Sequence, residues 1–296
     1  MTYSIVARDP ATGELGVAVQ SHWFAVGPIV PWAESGVGAV ATQANVEPSY
    51  GPRALELIRA GATATDALER LVAEDSGSPG RQVAVIDAAG RVAAHTGSSC
   101  MAYAGHVTGD GVSCQANIMA DARVWPEMLR TFEATEGSLS DRLLAALDAA
   151  ERQGGDIRGR QSAAILVVPA DAQRWESVVS LRVEDHPDPL VELRRLVVLD
   201  RAYKLAGAAD ECVNDGRHDE AARLFGQAHA LAPDNHELRF WAGMGAVHAG
   251  DVDRGVADVR AAIEIQPGWR TLLERLTPDV APAAQTVLER LRAVGD

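Results

Sequence analysis

The sequence predicts an α+β domain of antiparallel sheets covered by helix pairs, followed by an all-α half. Three observations predict it. Residues 1 to about 190 run in the order strands, two helices, strands, two helices, strands, which suits antiparallel sheets rather than a doubly wound parallel one. No GxGxxG or Walker-type loop interrupts them, so nucleotide binding has no support. From Asp188-Pro189 onward the pattern is helical to the end and repeats itself internally.

The first twenty residues read as a hairpin. Thr2 to Arg8 and Glu14 to Gln20 are apolar strands, joined by the turn-rich Asp9-Pro10-Ala11-Thr12-Gly13. Gly36 to Gln43 is an apolar, glycine-rich strand. One helix begins near Pro52, and a second carries Leu68, Leu71 and Val72 on one face. A second hairpin joins Gln82–Asp87 to Arg91–His95 through Ala88-Ala89-Gly90. Helices are predicted over 121–134 and 138–152, the latter with Ser138 and Asp141 as a capping pair. Strands over 162–168 and 177–183 close the domain, giving boundaries of 1–195 and 196–296 for the two parts.

Composition narrows the function. The 296 residues are 47% hydrophobic and 23% charged, an ordinary globular balance. A formal net charge of −14 opposes nucleic acid or an anionic membrane as partner. The three cysteines, Cys100, Cys114 and Cys212, show no CxxC spacing, which argues against a disulfide framework or a zinc ribbon. His95, Cys100, His106 and Cys114 match no common zinc spacing. Neither a metal nor any other cofactor is expected. With no basic-then-apolar leader and no apolar run of about 18 residues, a cytoplasmic protein is expected.

In the helical half, Ala-Leu-Ala-Pro at 230–233 is followed 34 residues later by Glu-Ile-Gln-Pro at 264–267. Gly216 and Gly250, and Ala228 and Ala262, share that offset. The period and the positions of Ala221, Phe225, Ala228, Pro233, Gly243, Ala262 and Pro267 resemble the tetratricopeptide repeat. Gly255 stands where that repeat usually has Ala, and Val259 where it has an aromatic. Helices over 190–201 and 270–294 are expected to cap the two units. The resemblance implies a surface for a protein partner or for self-association.

Polar clusters sit at the ends of otherwise apolar strands: Ser21 and His22, Gln43, His95 and Thr96, Gln115 and Asn117, and the run from Asp156 through Arg160 to Ser162. Polar residues gathered at strand ends are where a site is built. Thr2 opens the first strand. If Met1 is removed, its hydroxyl is a nucleophile whose base is its own α-amine. A Cys100–His95 pair is a competing nucleophile, although nothing in the sequence predicts a lowered thiol pKa.

Taken together, these strings resemble domain of unknown function 1028, a bacterial family classed as Ntn-hydrolase-like. The matching segments are Ser4 to Pro10, Thr12 to Val19, Gly36 to Gln43, Pro48 to Arg53, His95-Thr96-Gly97, Gly105-His106, Gln115 with Asn117, Gly155-Asp156 through Gln161-Ser162, and Asp185 to Pro189. The resemblance covers residues 1 to about 195 and implies a four-layer αββα sandwich and hydrolysis of an amide bond. Two departures stand out. Ala116 sits where the family often has Gly, and His22 where a Lys commonly follows the Ser. A coarser similarity to proteasome-type subunits implies that Asp156 orients the Thr2 amine and that Ser162 relays its proton.

The expectation is an amidohydrolase with Thr2, Asp156 and Ser162 as catalytic residues. Its substrate is a small amide, ureido compound or peptide, contacted by Ser21, His22, Gln43, Arg53, His95, Thr96, Gln115, Asn117 and Arg160. Arg53 or Arg160 is expected to bind a substrate carboxylate in bidentate fashion. The competing expectation is a non-catalytic platform whose repeats make the functional contacts.

Overall fold

The computed structural model describes residues 2–293; Met1 and the last three residues lie outside them. The chain divides into two compact units, the first ending at Arg195 and the second beginning at Leu196.

The first unit holds two antiparallel sheets. One has six strands in the order β10-β9-β2-β1-β8-β7, from β1 (Thr2–Arg8), β2 (Leu15–Ser21), β7 (Gly105–Gly109), β8 (Val112–Asn117), β9 (Ser162–Val168) and β10 (Val179–Val183). The other runs β3-β4-β5-β6, from β3 (Pro31–Glu34), β4 (Gly38–Ala44), β5 (Arg81–Asp87) and β6 (Val92–Thr96).

Side chains alternate across each strand, so every strand has an inner and an outer set. Val6, Val17, Val19 and Ala164 of the first sheet pack on Ala39, Ala41, Ala84 and Ile86 of the second in one buried cluster. The outer set of the second sheet, Val40, Val83 and Val85, is covered by α1 (Tyr50–Arg59) and α2 (Ala64–Glu74) through Tyr50, Ala54, Leu55, Leu68 and Leu71. The first sheet's outer face is covered by α3 (Val124–Ala134) and α4 (Leu139–Arg152). Gly16 lies under Leu139 and Leu143, and Gly105 lies under Trp125. The layers therefore run helix pair, sheet, sheet, helix pair.

Local chemistry sets several of these boundaries. Thr63 and Asp66 form a reciprocal capping box at the start of α2. The Ser138 hydroxyl accepts from the Asp141 N–H at the start of α4, a cap worth about 1 kcal/mol. Pro48-Ser49-Tyr50-Gly51-Pro52-Arg53 turns out to be a packing motif. Gly51 lies against the Trp32 ring, and a Cβ there would fall 2.2 Å from it. Gly97 is pressed likewise onto the carbonyls of Ser78 and Pro79.

The second unit is helical. It takes up the long α5 (Pro189–Asn214), which spans the division, and continues through α6 (His218–Leu231), α7 (His236–His248), α8 (Val252–Ile265), α9 (Gly268–Leu273) and α10 (Ala284–Ala293). α6 and α8 begin and end 34 residues apart, and Ala228 and Ala262 are both fully buried. Gly216 and Gly250 both take positive φ, 73° and 94°, just before those helices, a conformation that glycine adopts without penalty.

Two expected helices differ. The one over 190–201 is the first half of the 26-residue α5. The one over 270–294 is broken, within the described residues, by Pro278 and Pro282, which lack the N–H a helix interior needs. No described helix is long and apolar enough to cross a membrane.

Candidate active site

The inner face of the sandwich changes character along its length. On β1 the inner residues run Val6, Ser4, Thr2; on β4, Ala39, Ala41, Gln43; on β5, Ile86, Ala84, Gln82. Each strand thus becomes polar toward the end where Thr2 sits. The register places four polar residues in one row: Ser162 opposite Ser21, Ser21 opposite Thr2, and Thr2 opposite Asn117. Residues opposite one another on paired strands share a face.

Thr2 is 5% exposed, and its Oγ1 lies 3.0 Å from Ser21 Oγ. Its backbone carbonyl accepts from Gln43 Nε2 at 3.2 Å and Asn117 Nδ2 at 3.4 Å. A cavity open to solvent lies beside it. Trp23, Val26, Ile29, Val30, Gln43, Ala44 and Val46 complete its wall.

Behind Thr2 runs a buried hydrogen-bonded chain with one direction. Ser113 Oγ donates to Gln115 Oε1, and Gln115 Nε2 to Ser4 Oγ. Ser4 Oγ donates to Gln43 Oε1, and Gln43 Nε2 to Gln82 Oε1. Gln82 Nε2 donates to Thr96 Oγ1, which meets His106 Nδ1 at 2.8 Å. Asn117 Nδ2 also donates to Gln82 Oε1. A buried polar network is stable when each member finds partners.

Gln43, Gln115 and Asn117, expected to touch substrate, are therefore occupied in holding β1 and β8 against the second sheet. Thr96 belongs to the same chain. The signal for these roles was present as period-two alternation, with polar Ser113, Gln115 and Asn117 on one side and Cys114 and Ala116 on the other.

The remaining candidates divide. Ser162 Oγ donates to the Trp23 carbonyl at 2.5 Å and accepts from the Val26 N–H at 3.1 Å. It therefore pins the loop that walls the cavity, and the hydroxyl that meets Thr2 is Ser21. Asp156 is buried, accepts from the His22 N–H at 3.1 Å and is paired with Arg158.

His95 points to the opposite face from Thr96 and bonds the Ser78 carbonyl. Arg53 lies on α1 paired with Glu74, and Arg160 is paired with Asp188 and Glu151. The structure thus brings neither Arg53 nor His95 to Thr2. Each arginine expected to bind a substrate carboxylate already faces a carboxylate of the chain itself.

The competing cysteine fares no better. Cys100 Sγ donates to the Arg81 carbonyl at 3.3 Å, and burial pushes its thiol up, away from the reactive thiolate. Burial likewise raises Cys114, which shares the outer face with Ile5, whereas His106 meets Thr96 on the inner side. Among the described residues no three His, Cys, Asp or Glu side chains form a group that could hold a metal.

Sequence reasoning missed the backbone. The non-glycine residues with positive φ are Ala25 (52°), Ala44 (68°) and Ile118 (56°) among the described residues. Ala44 follows Gln43, Ile118 follows Asn117, and Ala25 lies in the loop pinned by Ser162. All three border the Thr2 end. A β-branched residue in this region costs on the order of 1–3 kcal/mol, and such strain gathers at functional sites.

No curated protein is significantly similar to this chain. A family model described as "Family of unknown function (DUF1028)" matches residues 2–193. A crystal structure of a DUF1028 protein from Silicibacter pomeroyi shares 35% identity and a TM-score of 0.61, covering 66% of this chain and 87% of that one. Anbu, the ancestral beta-subunit from Yersinia bercovieri, aligns at 9% identity and a TM-score of 0.34, covering 65% and 91%. The match spans both sheets, the helix pairs that cover them and the polar row around Thr2, and the chain belongs to the family of unknown function DUF1028.

Proposed function

We propose that the first unit is an Ntn-hydrolase-type αββα sandwich acting as an amidohydrolase, with Thr2 as the N-terminal nucleophile once Met1 is removed. The observation that carries this reading is the placement of Thr2. Its hydroxyl opens a central strand at the polar end of the inter-sheet face, within hydrogen-bond distance of the Ser21 hydroxyl and at the wall of an open cavity.

In the mechanism, Thr2 Oγ attacks the amide carbonyl and its proton passes to the Thr2 α-amine, with Ser21 Oγ at 3.0 Å as the relay. The amine then protonates the leaving nitrogen as the C–N bond breaks. Water hydrolyses the remaining ester and restores the hydroxyl. Gln43 and Asn117 act as positioning residues: two side-chain amides on the Thr2 carbonyl fix the orientation of its Cα. Asp156 holds the turn after Ser21 through the His22 N–H, and Ser162 holds the cavity wall.

The helical unit we read as tetratricopeptide-like, from the 34-residue offset of α6 and α8 and the paired glycines before them. On that reading it carries the contacts to a protein partner or a second copy.

The test has two steps. The intact mass of the purified protein should show a chain that starts at Thr2; full retention of Met1 rules out the terminal amine as base. Turnover of a panel of acylated amino acids, ureido compounds and short peptides should then fall by at least ~10³-fold in Thr2→Ala and hold in Cys100→Ala. Activity that survives Thr2→Ala and disappears in Cys100→Ala transfers the role to the thiol.

A further inference from the structure

We infer that the cavity beside Thr2 holds the acyl part of the substrate, and that this part is uncharged and apolar: a branched aliphatic or small aromatic group. The inference rests on Thr2 being the nucleophile and adds which amides it cleaves. Among the described residues, the wall of the cavity contains no Asp, Glu, Lys, Arg or His. Among the described residues of the wall, the polar side-chain groups besides the Thr2 hydroxyl are the Trp23 indole N–H and the Gln43 amide, which is spent on Ser4, Gln82 and backbone carbonyls. Val26, Ile29, Val30 and Val46 supply the rest, Val26 and Val30 at 1% and 2% exposure. A carboxylate or ammonium placed there would lose its water and gain no partner.

The acyl side is assigned by the order of events. The leaving amine departs after the first step, while the acyl group stays bonded to Thr2 Oγ until water releases it as a carboxylic acid. The group that stays through both steps is the one a pocket beside the nucleophile can hold.

The apolar character continues outward. Trp23 and Phe24, 56% and 64% exposed, follow Ser21. Met101 and Tyr103 are exposed on a loop whose carbonyls accept from the N–H groups of Ile118 and Met119, directly after Asn117. Of these, Trp23 lines the cavity itself, and exposed large apolar groups next to a cavity mark a binding surface.

The experiment uses the full chain with its first residue verified by mass. Its probes are coumarinyl amides of isovaleric, phenylacetic and succinic acids. The isovaleryl and phenylacetyl amides should exceed the succinyl amide in kcat/KM by about tenfold or more. Val46→Lys, a half-buried loop position, should erase or invert that ranking. In parallel, isovaleramide, phenylacetamide and succinamate are titrated into Thr2→Ala by NMR. Here the apolar amides should bind and the anion should not.

The two readings fail separately. Binding of the apolar amides to Thr2→Ala with no turnover by the unsubstituted chain overturns the nucleophile and leaves the pocket assignment standing. Turnover that depends on Thr2 but favours the succinyl amide overturns the pocket assignment alone. Neither binding nor turnover overturns both.

Discussion

At the scale of single residues, the Thr2 end is held by side-chain amides, and each can be removed singly. Gln82 accepts from both Gln43 and Asn117 and donates to Thr96. Gln82→Leu takes one acceptor from each of those amides, which keep the Thr2 carbonyl, and strands one buried N–H on each. A loss of ~2–6 kcal/mol is expected, from about 1–3 kcal/mol for each of the two stranded N–H groups. Urea unfolding would show this as a lower midpoint at unchanged slope. The opposite sign is expected at Gln20. It is fully buried next to Tyr3, on the face turned away from Thr2, and neither its Oε1 nor its Nε2 has a protein partner among the described residues. Gln20→Met removes an unpaired amide at nearly constant volume and should raise the melting temperature. An unchanged or lower value shows that buried water satisfies the amide. Tyr3 illustrates the same rule when satisfied. It is buried with its hydroxyl donating to Glu151 at 2.6 Å, and burial first, then the Glu151 charge, pushes its pKa well above the usual phenol range.

At the scale of elements, glycines in the helical unit separate backbone freedom from packing. Gly255 of α8 faces Gly243 of α7 so closely that a Cβ on Gly255 would fall 2.4 Å from the Gly243 carbonyl oxygen. Gly226, inside α6, faces open space. Alanine is favoured over glycine in a helix by about 1 kcal/mol. Gly226→Ala should therefore stabilise by up to that amount, and Gly255→Ala should destabilise by ~1–3 kcal/mol through overpacking. Thermal melts of the two variants decide it; equal shifts would show that α7 and α8 are not in close contact. The same elements show what a sequence carries. Gly255 reads only as a departure from a repeat, because the partner that demands it lies on another helix. β1 and β2 were legible because both sides of those strands are buried and apolar through Ile5–Ala7 and Leu15–Val19. β8 was not, because its inward residues Ser113, Gln115 and Asn117 are polar and mimic a turn. β3 is four residues long, too short for any periodicity. The helix starts at Thr63 and Ser138 are written locally in capping chemistry. The end of α5 at Asn214, by contrast, follows no proline, only a glycine two residues on.

At the scale of the whole molecule, the first unit buries its own core between the sheets and beneath each helix pair. The second has separate clusters around Phe225 and around Phe240. A chain ending at Asp200 should fold cooperatively and keep any Thr2-dependent activity, losing self-association or a partner that the helices provide. Size-exclusion and thermal melts of both lengths test this, and an insoluble or molten shorter chain would abolish the two-part description. The site was legible to a different degree than the fold. Thr2, Ser21 and Ser162 stand out as residues, but which hydroxyl meets Thr2 depends on strand register, and register is a property of pairing that one strand's composition does not state.

The polar end of the sandwich also has a mechanical meaning. Contacts among Val6, Val19, Ala41 and Ala84 are non-directional, so they fix the spacing of the two sheets more firmly than their register. Hydrogen bonds from Gln43 and Asn117 to Thr2 and Gln82 are directional and fail within a fraction of an ångström of slip. The sandwich is cross-linked densely at the Thr2 end and sparsely at the other, where Ser35 Oγ donates to the Pro169 carbonyl and Arg174 pairs with Glu34. Slow breathing should therefore be greatest at the strand ends far from Thr2. In amide exchange Ser4 and Gln115 should rank among the last residues to open, so that the stiffest point of the sandwich coincides with the residue that must be held still.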